Sequence, residues 1–535
     1  MTRAKSSRHD AWSSTLDRVR RAFRESLDSG PVAARAFHRA IAIVFLMAWL
    51  SLAVQVDVLI GSHGLLPIRE HLGILAERHT PFAEFPTLWR YFPSDAALHL
   101  GIIAGIVASL AALALLAPRV CVAINTGLYL SFAVACRTFM RFQWDSLLIE
   151  AGALAVFLPR ERRATWIHFL FRVLIFKLYF ESGWSKWQSA LHDWRDGSAM
   201  SLYYETSPLP TRLAWSAHHL PMWWHRLESW ATLVLEGMVP FLVFGTRRLR
   251  LVAAFAFTAF HLGDLATANY GFFCYISLAL NFFLVSDHDL RHAWIRVLSW
   301  MPPRLRRWHP PSLLRVPRSR VASPIVRRAR LAIAASYAVL YVLASGYEAL
   351  VSFARSDTWQ ARLDKLDPVH RRVREFRLAN VYHLFGSITE KRIEPEIQIA
   401  SDDNEWRTYD LQYKAGAPGR SPPFVAPHQP RVDFQMWFYG VSLIAPPEVD
   451  QVAMVRTYGL RRIPIYVVNL LKRVCHDPAA VQTLFVDPLP EHASAVRVAF
   501  WDYRFTSVDE RAQNLGWWHR TFLAHTQAIP CVALR

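Results

Sequence analysis

The sequence predicts an α-helical polytopic membrane domain of about nine transmembrane helices, followed by a β-rich extracytoplasmic C-terminal domain. Three observations predict it. Apolar runs near the length that crosses about 30 Å of hydrocarbon recur as far as Val351. Arginine is concentrated in alternate connections between those runs. Beyond residue 390 the apolar period falls from helical spacing to two. Composition agrees, since 53% of the 535 residues are hydrophobic, above the average for soluble chains.

Residues 1–38 form an arm too long and too polar for a signal peptide. No A-x-A exit follows the first apolar run, which is therefore expected to stay uncleaved. Within the arm Trp12, Leu16, Val19, Phe23 and Leu27 recur at helical spacing, with Arg18, Arg20, Arg21 and Arg24 between them. That pattern suits a helix lying on an anionic leaflet, or one docked on the protein's own cytoplasmic face.

Residues 39–351 form the multi-pass domain. Six runs approach spanning length: Ile41–Ile60, Leu98–Ala117, Val120–Phe139, Trp166–Gly183, Leu251–Thr267 and Leu331–Val351. Three shorter runs, Ser146–Pro159, Ala231–Gly245 and Gly271–Ser286, suit a bundle that holds short or tilted helices. Gly101 and Gly105, in G-x-x-x-G spacing, are expected to let two helices approach. With a cytoplasmic N-terminus, the cytoplasmic connections carry roughly 27 Lys/Arg in about 100 residues, against roughly 9 in about 90 on the other side. Residues 352–535 are thus expected outside the cytosol. The formal charge of +19 then expresses topology, with a lipid bilayer and no nucleic acid as its partner.

Five cysteines make no disulfide framework and contain no C-x-x-C pair. Cys121, Cys136 and Cys274 fall in apolar segments as small buried hydrophobes. Cys475 and Cys531 could pair in an extracytoplasmic domain, a question their spacing leaves open.

Ionisable residues inside apolar segments are the chemical candidates, because a charge at mid-membrane needs a partner or a polar cavity. Asp145 and Glu150 flank the start of the fourth segment. Arg172, Lys177 and Glu181 lie in the fifth, with Lys177 and Glu181 four apart on one helix face. Lys186, at the end of that segment, reads either as an interfacial lysine reaching for water or as a base whose charge burial suppresses. The loop from Trp184 to Trp230 holds His218, His219 and His225 among many tryptophans, with Glu228 the one carboxylate near them; this is no recognised ligand spacing, and neither metal nor cofactor is expected. G-x-S-x-G, H-E-x-x-H, Walker A and G-x-G-x-x-G patterns are absent.

In the C-terminal domain, Glu396–Ala400 and Trp406–Tyr413 read as a hairpin with Tyr409, Leu411 and Tyr413 on one face, and Val496–Thr506 as a later strand of a sandwich-like fold. Pro422, Pro423, Pro427 and Pro430 impose an extended loop that enters a helix over Asp433–Tyr439. Further helix is expected between Ile463 and Leu484.

Six strings carry a resemblance: PPFVAPHQPRVDFQMWF at 422–438, NVYHLFGSI at 380–388, RFQWD at 141–145, FESGWSKW at 180–187, YYETSPLP at 203–210 and ANYGFF at 268–273. Together they resemble the lipase maturation factor family over nearly the whole chain. That resemblance implies a membrane protein that assists folding or assembly of a secreted, lipase-like client. Exposed aromatic and proline-rich loops favour binding an apolar partner surface, which makes Pro422, Pro423, Phe424, Pro427, His428, Arg431 and Trp437 the client-binding candidates, though Phe434, Trp437 and Phe438 could equally form core. YFESGWSK at 179–186 is similar to the stretch that carries the base in vitamin K-dependent carboxylases, whose membrane domain is distantly similar. This leaves open a membrane enzyme using Lys186, with Glu181, Asp145 and Glu150 nearby; a receptor or transport scaffold without chemistry is a third reading. Convergence of these four side chains on one cavity would favour the enzyme, and separate paired charges the folding factor. The absence of an N-x-[ST] sequon favours a bacterial inner membrane over the endoplasmic reticulum.

Overall fold

The computed structural model describes residues 30–161, 164–300, 302, 323–353, 365, 367–401, 405–446, 448–459 and 461–534. The amphipathic pattern from Trp12 to Leu27 lies outside the described residues.

Every one of the nine apolar runs holds a helix: α1 Pro31–Ala53, α2 Asp95–Leu113, α3 Pro118–Ala135, α4 Gln143–Val156, α5 Thr165–Trp187, α6 Met222–Gly237, α7 Arg247–Thr267, α8 Phe273–Leu280 and α9 Pro324–Phe353. Among the described residues six are long and apolar enough to cross a membrane, namely α1, α2, α3, α7, α9, and α6 with its 3-10 continuation to Phe244. Helix α5 matches α1 in length but carries Arg172, Lys177, Glu181 and Lys186.

The first run departs from expectation at both ends. Its helix begins earlier, at Pro31, a residue whose missing N–H costs nothing in a first turn. Asp287 then reaches across the chain to accept the amides of Gly30, Val32 and Ala33 at 2.9–3.0 Å, placing a carboxylate at the helix N-terminus. At the other end α1 stops at Ala53, and Val56–Ile60 forms a separate short helix.

Gly101 and Gly105 make room for rings rather than for a bare helix–helix contact. A Cβ on either would lie 2.3 Å from an indole, that of Trp89 at Gly101 and that of Trp49 at Gly105. Trp49 is anchored in turn, donating to Asn125 Oδ1 at 2.7 Å.

The C-terminal part is built on one five-stranded antiparallel sheet: β1 Arg392–Ala400, β2 Trp406–Tyr409, β3 Ala495–Phe505, β4 Trp518–His525 and β5 Ile529–Pro530. The order is β2-β1-β3-β4, with β5 also on β3. The expected hairpin is β1–β2, with Ile397 opposite Tyr409, and its first strand starts earlier, at Arg392. Leu411 leaves the strand to bridge Phe485, so the three-residue face ends at Tyr409. Strand β4 is not legible in the sequence, because the register shifts at Phe500/Trp501 and its burial does not alternate.

No second sheet faces the first among the described residues, so the other layer of the expected sandwich is helical. Helix α10, Arg431–Val441, lies across β1 so closely that a Cβ on Gly440 would sit 1.8 Å from the Ile393 carbonyl oxygen. Helix α11, Ile465–His476, is tied to the C-terminal end by a disulfide between Cys475 and Cys531, with Cα atoms 5.3 Å apart.

Opening that crosslink frees a chain segment 56 residues long. Cys531→Ser is expected to destabilise the C-terminal part by about 2–4 kcal/mol, read as a lower Tm of the full chain in detergent. Alkylation of Cys475 in the parent protein without reductant would refute the pairing.

Candidate functional site

The proline-rich string at 422–438 is poor in backbone donors, since four of its first nine residues are prolines. The amides that remain are met by side chains from the helical part. Asn269 Oδ1 accepts from Val425 and Ala426 at 2.7 and 3.0 Å, while its Nδ2 donates to the Pro423 carbonyl at 2.9 Å. Ser51 accepts from the Gln429 amide at 2.9 Å, and Gln55 from the Arg431 amide at 2.8 Å. Gln55 also donates to the Gln429 carbonyl at 3.0 Å, which is the use made of the break after Ala53. Burial and the nearby Arg431 push the His428 imidazole down to about 4, so it meets the Ser51 hydroxyl uncharged at neutral pH. Gly271, at φ +53°, passes so near Gln429 that a Cβ would lie 2.4 Å from its Oε1.

Arg431 continues inward to the carboxylate of Asp145. Its two terminal nitrogens contact the two oxygens at 2.6 and 2.8 Å, a bidentate pair in which both side chains are at most 1% exposed. Tyr129 donates to the same carboxylate at 2.7 Å, and the Phe139 carbonyl accepts from Arg431 at 3.0 Å. On the other side of α10, burial raises the Asp433 carboxyl, opposed by hydrogen bonds from the Tyr413 and Lys414 amides.

The string at 380–388 docks in the same manner. Glu150, fully buried, accepts from Lys177 at 3.0 Å, Tyr341 at 2.8 Å, Tyr382 at 2.8 Å, and the amide and side chain of Asn380 at 2.9 and 2.7 Å. Glu181 accepts the Tyr382 amide at 2.9 Å. Lys177 is thus paired to Glu150 on α4, not to Glu181 on its own helix face. Asp193 takes the Ile388 amide at 2.6 Å. Lys186 does not reach for water: its ammonium lies 2.6 Å from Glu236 and 2.7 Å from the Leu384 carbonyl, with 3% of the side chain exposed. An inward carboxylate on α6 outcompetes the interface.

The string at 203–210 offers carbonyl oxygens. Arg392 donates to those of Glu205, Ser207 and Pro208, and the Trp437 indole donates to that of Thr206 at 2.9 Å. All six strings therefore lie along one seam between the helices and the C-terminal part. Sequence reasoning selected the strings, Asn269 among them, but missed the partners Ser51, Gln55, Asp193 and Glu236. Polar residues inside otherwise apolar runs are the signal that would have found three of them, Ser51, Gln55 and Glu236.

The four ionisable candidates do not converge. Asp145, Glu150 and Lys186 belong to three separate ion pairs, and Glu181 holds a backbone amide. Lys186 alone of the four lines a cavity of about 60 Å³, walled mainly by helices and by Leu384 and Phe385. Of the client-binding candidates, Pro422 and Arg431 are buried within the seam, and Pro423, Pro427, His428 and Trp437 are half-buried. Phe424 is 63% exposed. In the tryptophan-rich loop Glu228 is not the one carboxylate near the histidines: His218 lies near Glu205 on a neighbouring helix, His225 near Glu228, and His219 against the Trp215 carbonyl.

A second, larger concavity opens on the seam itself. This groove of about 560 Å³ is lined by Phe142, Trp144, Leu191, Phe434, Trp437 and Phe438, with Arg141 beside them. Phe142 stacks on Trp144 with ring centroids 4.6 Å apart, and Phe438 remains 44% exposed.

Removing one half of the Asp145–Arg431 pair strands a buried charge. Arg431→Met is expected to cost about 3–5 kcal/mol, and the double variant Asp145→Leu/Arg431→Met to recover most of it. Tm in detergent and protease sensitivity of the C-terminal part measure both; additive losses would show that the pair is not coupled.

Two family models match the chain in tandem: the lipase maturation factor transmembrane domain over residues 32–292 and the lipase maturation factor C-terminal domain over residues 378–528. Similar curated proteins include lipase maturation factor 2 of Rattus norvegicus, 28% identical over 95% of this chain and 84% of its own length. Lipase maturation factor 2 of Homo sapiens is 28% identical over 93% and 82%. Lipase maturation factor 1 of Bos taurus is 27% identical over 90% and 86%. No solved structure matches the chain. The apolar helices and the matched transmembrane domain make this an integral membrane protein. With both models matched in order along one continuous seam, the chain belongs to the lipase maturation factor family.

Proposed function

We propose that this protein assists folding or assembly of a secreted, lipase-like client, and that an extended apolar segment of that client lies in the aromatic groove at the seam. The observation that carries this reading is the groove itself, which is walled by residues of the family-like strings and left open around Phe438. Stacked, immobilised rings present apolar area at little entropic cost, which suits transient capture of an incompletely folded chain. Trp437 and Phe438 touch the client in this reading, while His428 and Arg431 position α10. The separate pairing of Asp145, Glu150 and Lys186, with Glu181 holding a backbone amide, supports a folding factor over an enzyme.

The same reading places residues 1–38 in the cytosol, residues 39–351 in nine crossings of a bacterial inner membrane, and residues 352–535 outside. The arginine asymmetry and the Cys475–Cys531 pair, which needs an oxidising compartment, support that orientation.

Three outcomes follow. A reporter fused after Arg535 should be active only in its exported form, and one inserted between Arg304 and Arg320 only in its cytosolic form; the reverse pattern would overturn the topology. Phe438→Asp should lower secreted client activity about tenfold at unchanged membrane abundance, while Phe522→Asp on β4 leaves it intact. Full maturation by Phe438→Asp would sink the groove. Lys186→Met should reduce abundance, and Lys186→Met/Glu236→Leu should restore abundance and client maturation together; a stable but inactive double variant would return Lys186 to the role of base.

A further inference from the structure

We propose that His261, Asp264 and Cys274 form a binding site for one divalent transition-metal ion of the zinc class. His261 and Asp264 stand three apart on α7, and Cys274 opens α8 after the turn at Gly271. Their ligand atoms all lie within 4.8 Å of one another. The spacing, H-x-x-D followed ten residues later by a cysteine, matches no ligand motif, so the sequence does not disclose the set.

Two further observations point to a ligand. His261 is 1% exposed, and its Nε2 lies 2.8 Å from the Tyr179 hydroxyl, which orients the ring. With the Nε2 proton donated to that oxygen, the lone pair is left on Nδ1, the arrangement by which an outer hydrogen bond fixes a metal-binding imidazole. Nδ1 itself lies 3.3 Å from Asp264 Oδ2 but outside hydrogen-bond geometry, a buried ring nitrogen without a hydrogen-bond partner. The second observation is charge. Among the described residues no lysine or arginine pairs with Asp264, and Lys186, across the cavity, is already held by Glu236. One thiolate, one carboxylate and a neutral imidazole around a dication sum to zero, the arrangement that a low-dielectric site tolerates best.

The donor set decides the ion. Sulfur with nitrogen selects a borderline or soft metal and rejects magnesium and calcium, which require oxygen. Three protein ligands leave a fourth tetrahedral position. The cavity of about 60 Å³ lined by both His261 and Asp264 offers that position to water. Binding replaces the Cys274 thiol proton, which leaves to solvent, so occupancy rises with pH. Asn269, five residues beyond Asp264, clamps the proline-rich loop, so the ion would brace the helix ends under the seam.

Cobalt(II) is the probe, because thiolate ligation gives an intense near-ultraviolet charge-transfer band that carboxylate or water does not. Full-length protein in detergent, stripped with a chelator, should take up one equivalent and show this band together with visible bands of tetrahedral cobalt; zinc(II) should then abolish both. Cys274→Ser should remove the charge-transfer band, and Cys136→Ser should leave it. Asp264→Asn, at a half-buried position, should keep the fold and weaken cobalt binding about tenfold or more. Folded parent protein without the band, or a band that survives Cys274→Ser, would overturn the site.

Discussion

A carboxylate buried among membrane helices must be neutralised or paired, and Asp145 receives its partner from Arg431, 286 positions along the chain. Much else follows from that bond. It draws α10 against α4, carries the proline-rich loop across the mouths of α1 and α7, and sets the face on which β1 must lie. Tyr129 and the Phe139 carbonyl add further hydrogen bonds, one on each side of the pair.

Glu150 extends the same logic with five donors, three of them from Asn380 and Tyr382. The helical part therefore does not complete its own polar interior; segments that follow the last apolar helix do so. Contacts of such sequence separation close large loops before they are rewarded, which makes docking of the C-terminal part a late event in folding. The aromatic groove, walled from both sides of the seam, exists only once that seam has closed.

That dependence also explains why the ionisable residues look catalytic in one dimension and structural in three. Asp145, Glu150, Lys177, Glu181 and Lys186, within forty-two residues, suggest one polar pocket, yet helix geometry directs them to different neighbours. Lys177 faces α4, Lys186 faces α6 and Asp145 faces α10. The aromatic groove, by contrast, draws Phe142 and Trp144 from one end of the chain and Trp437 and Phe438 from the other.

The sequence by itself determined the tandem architecture, because spanning length, arginine asymmetry and period are local properties that each segment carries wherever it sits. It located a helix in each of the nine apolar runs, the β1–β2 hairpin and β3, and it selected the strings that form the seam. Only the tertiary structure decided the partners. Which acid meets which base, that Lys186 turns inward to Glu236, that Cys475 meets Cys531, and that a helical layer replaces a second sheet depend on contacts between segments far apart in the chain. Strand β4 escaped for a related reason, since its pairing with β3 shifts register at Phe500/Trp501 and breaks the alternation by which a strand is read. Periodicity records which face of an element is buried; what buries it is a matter of three-dimensional complementarity, which no local pattern encodes.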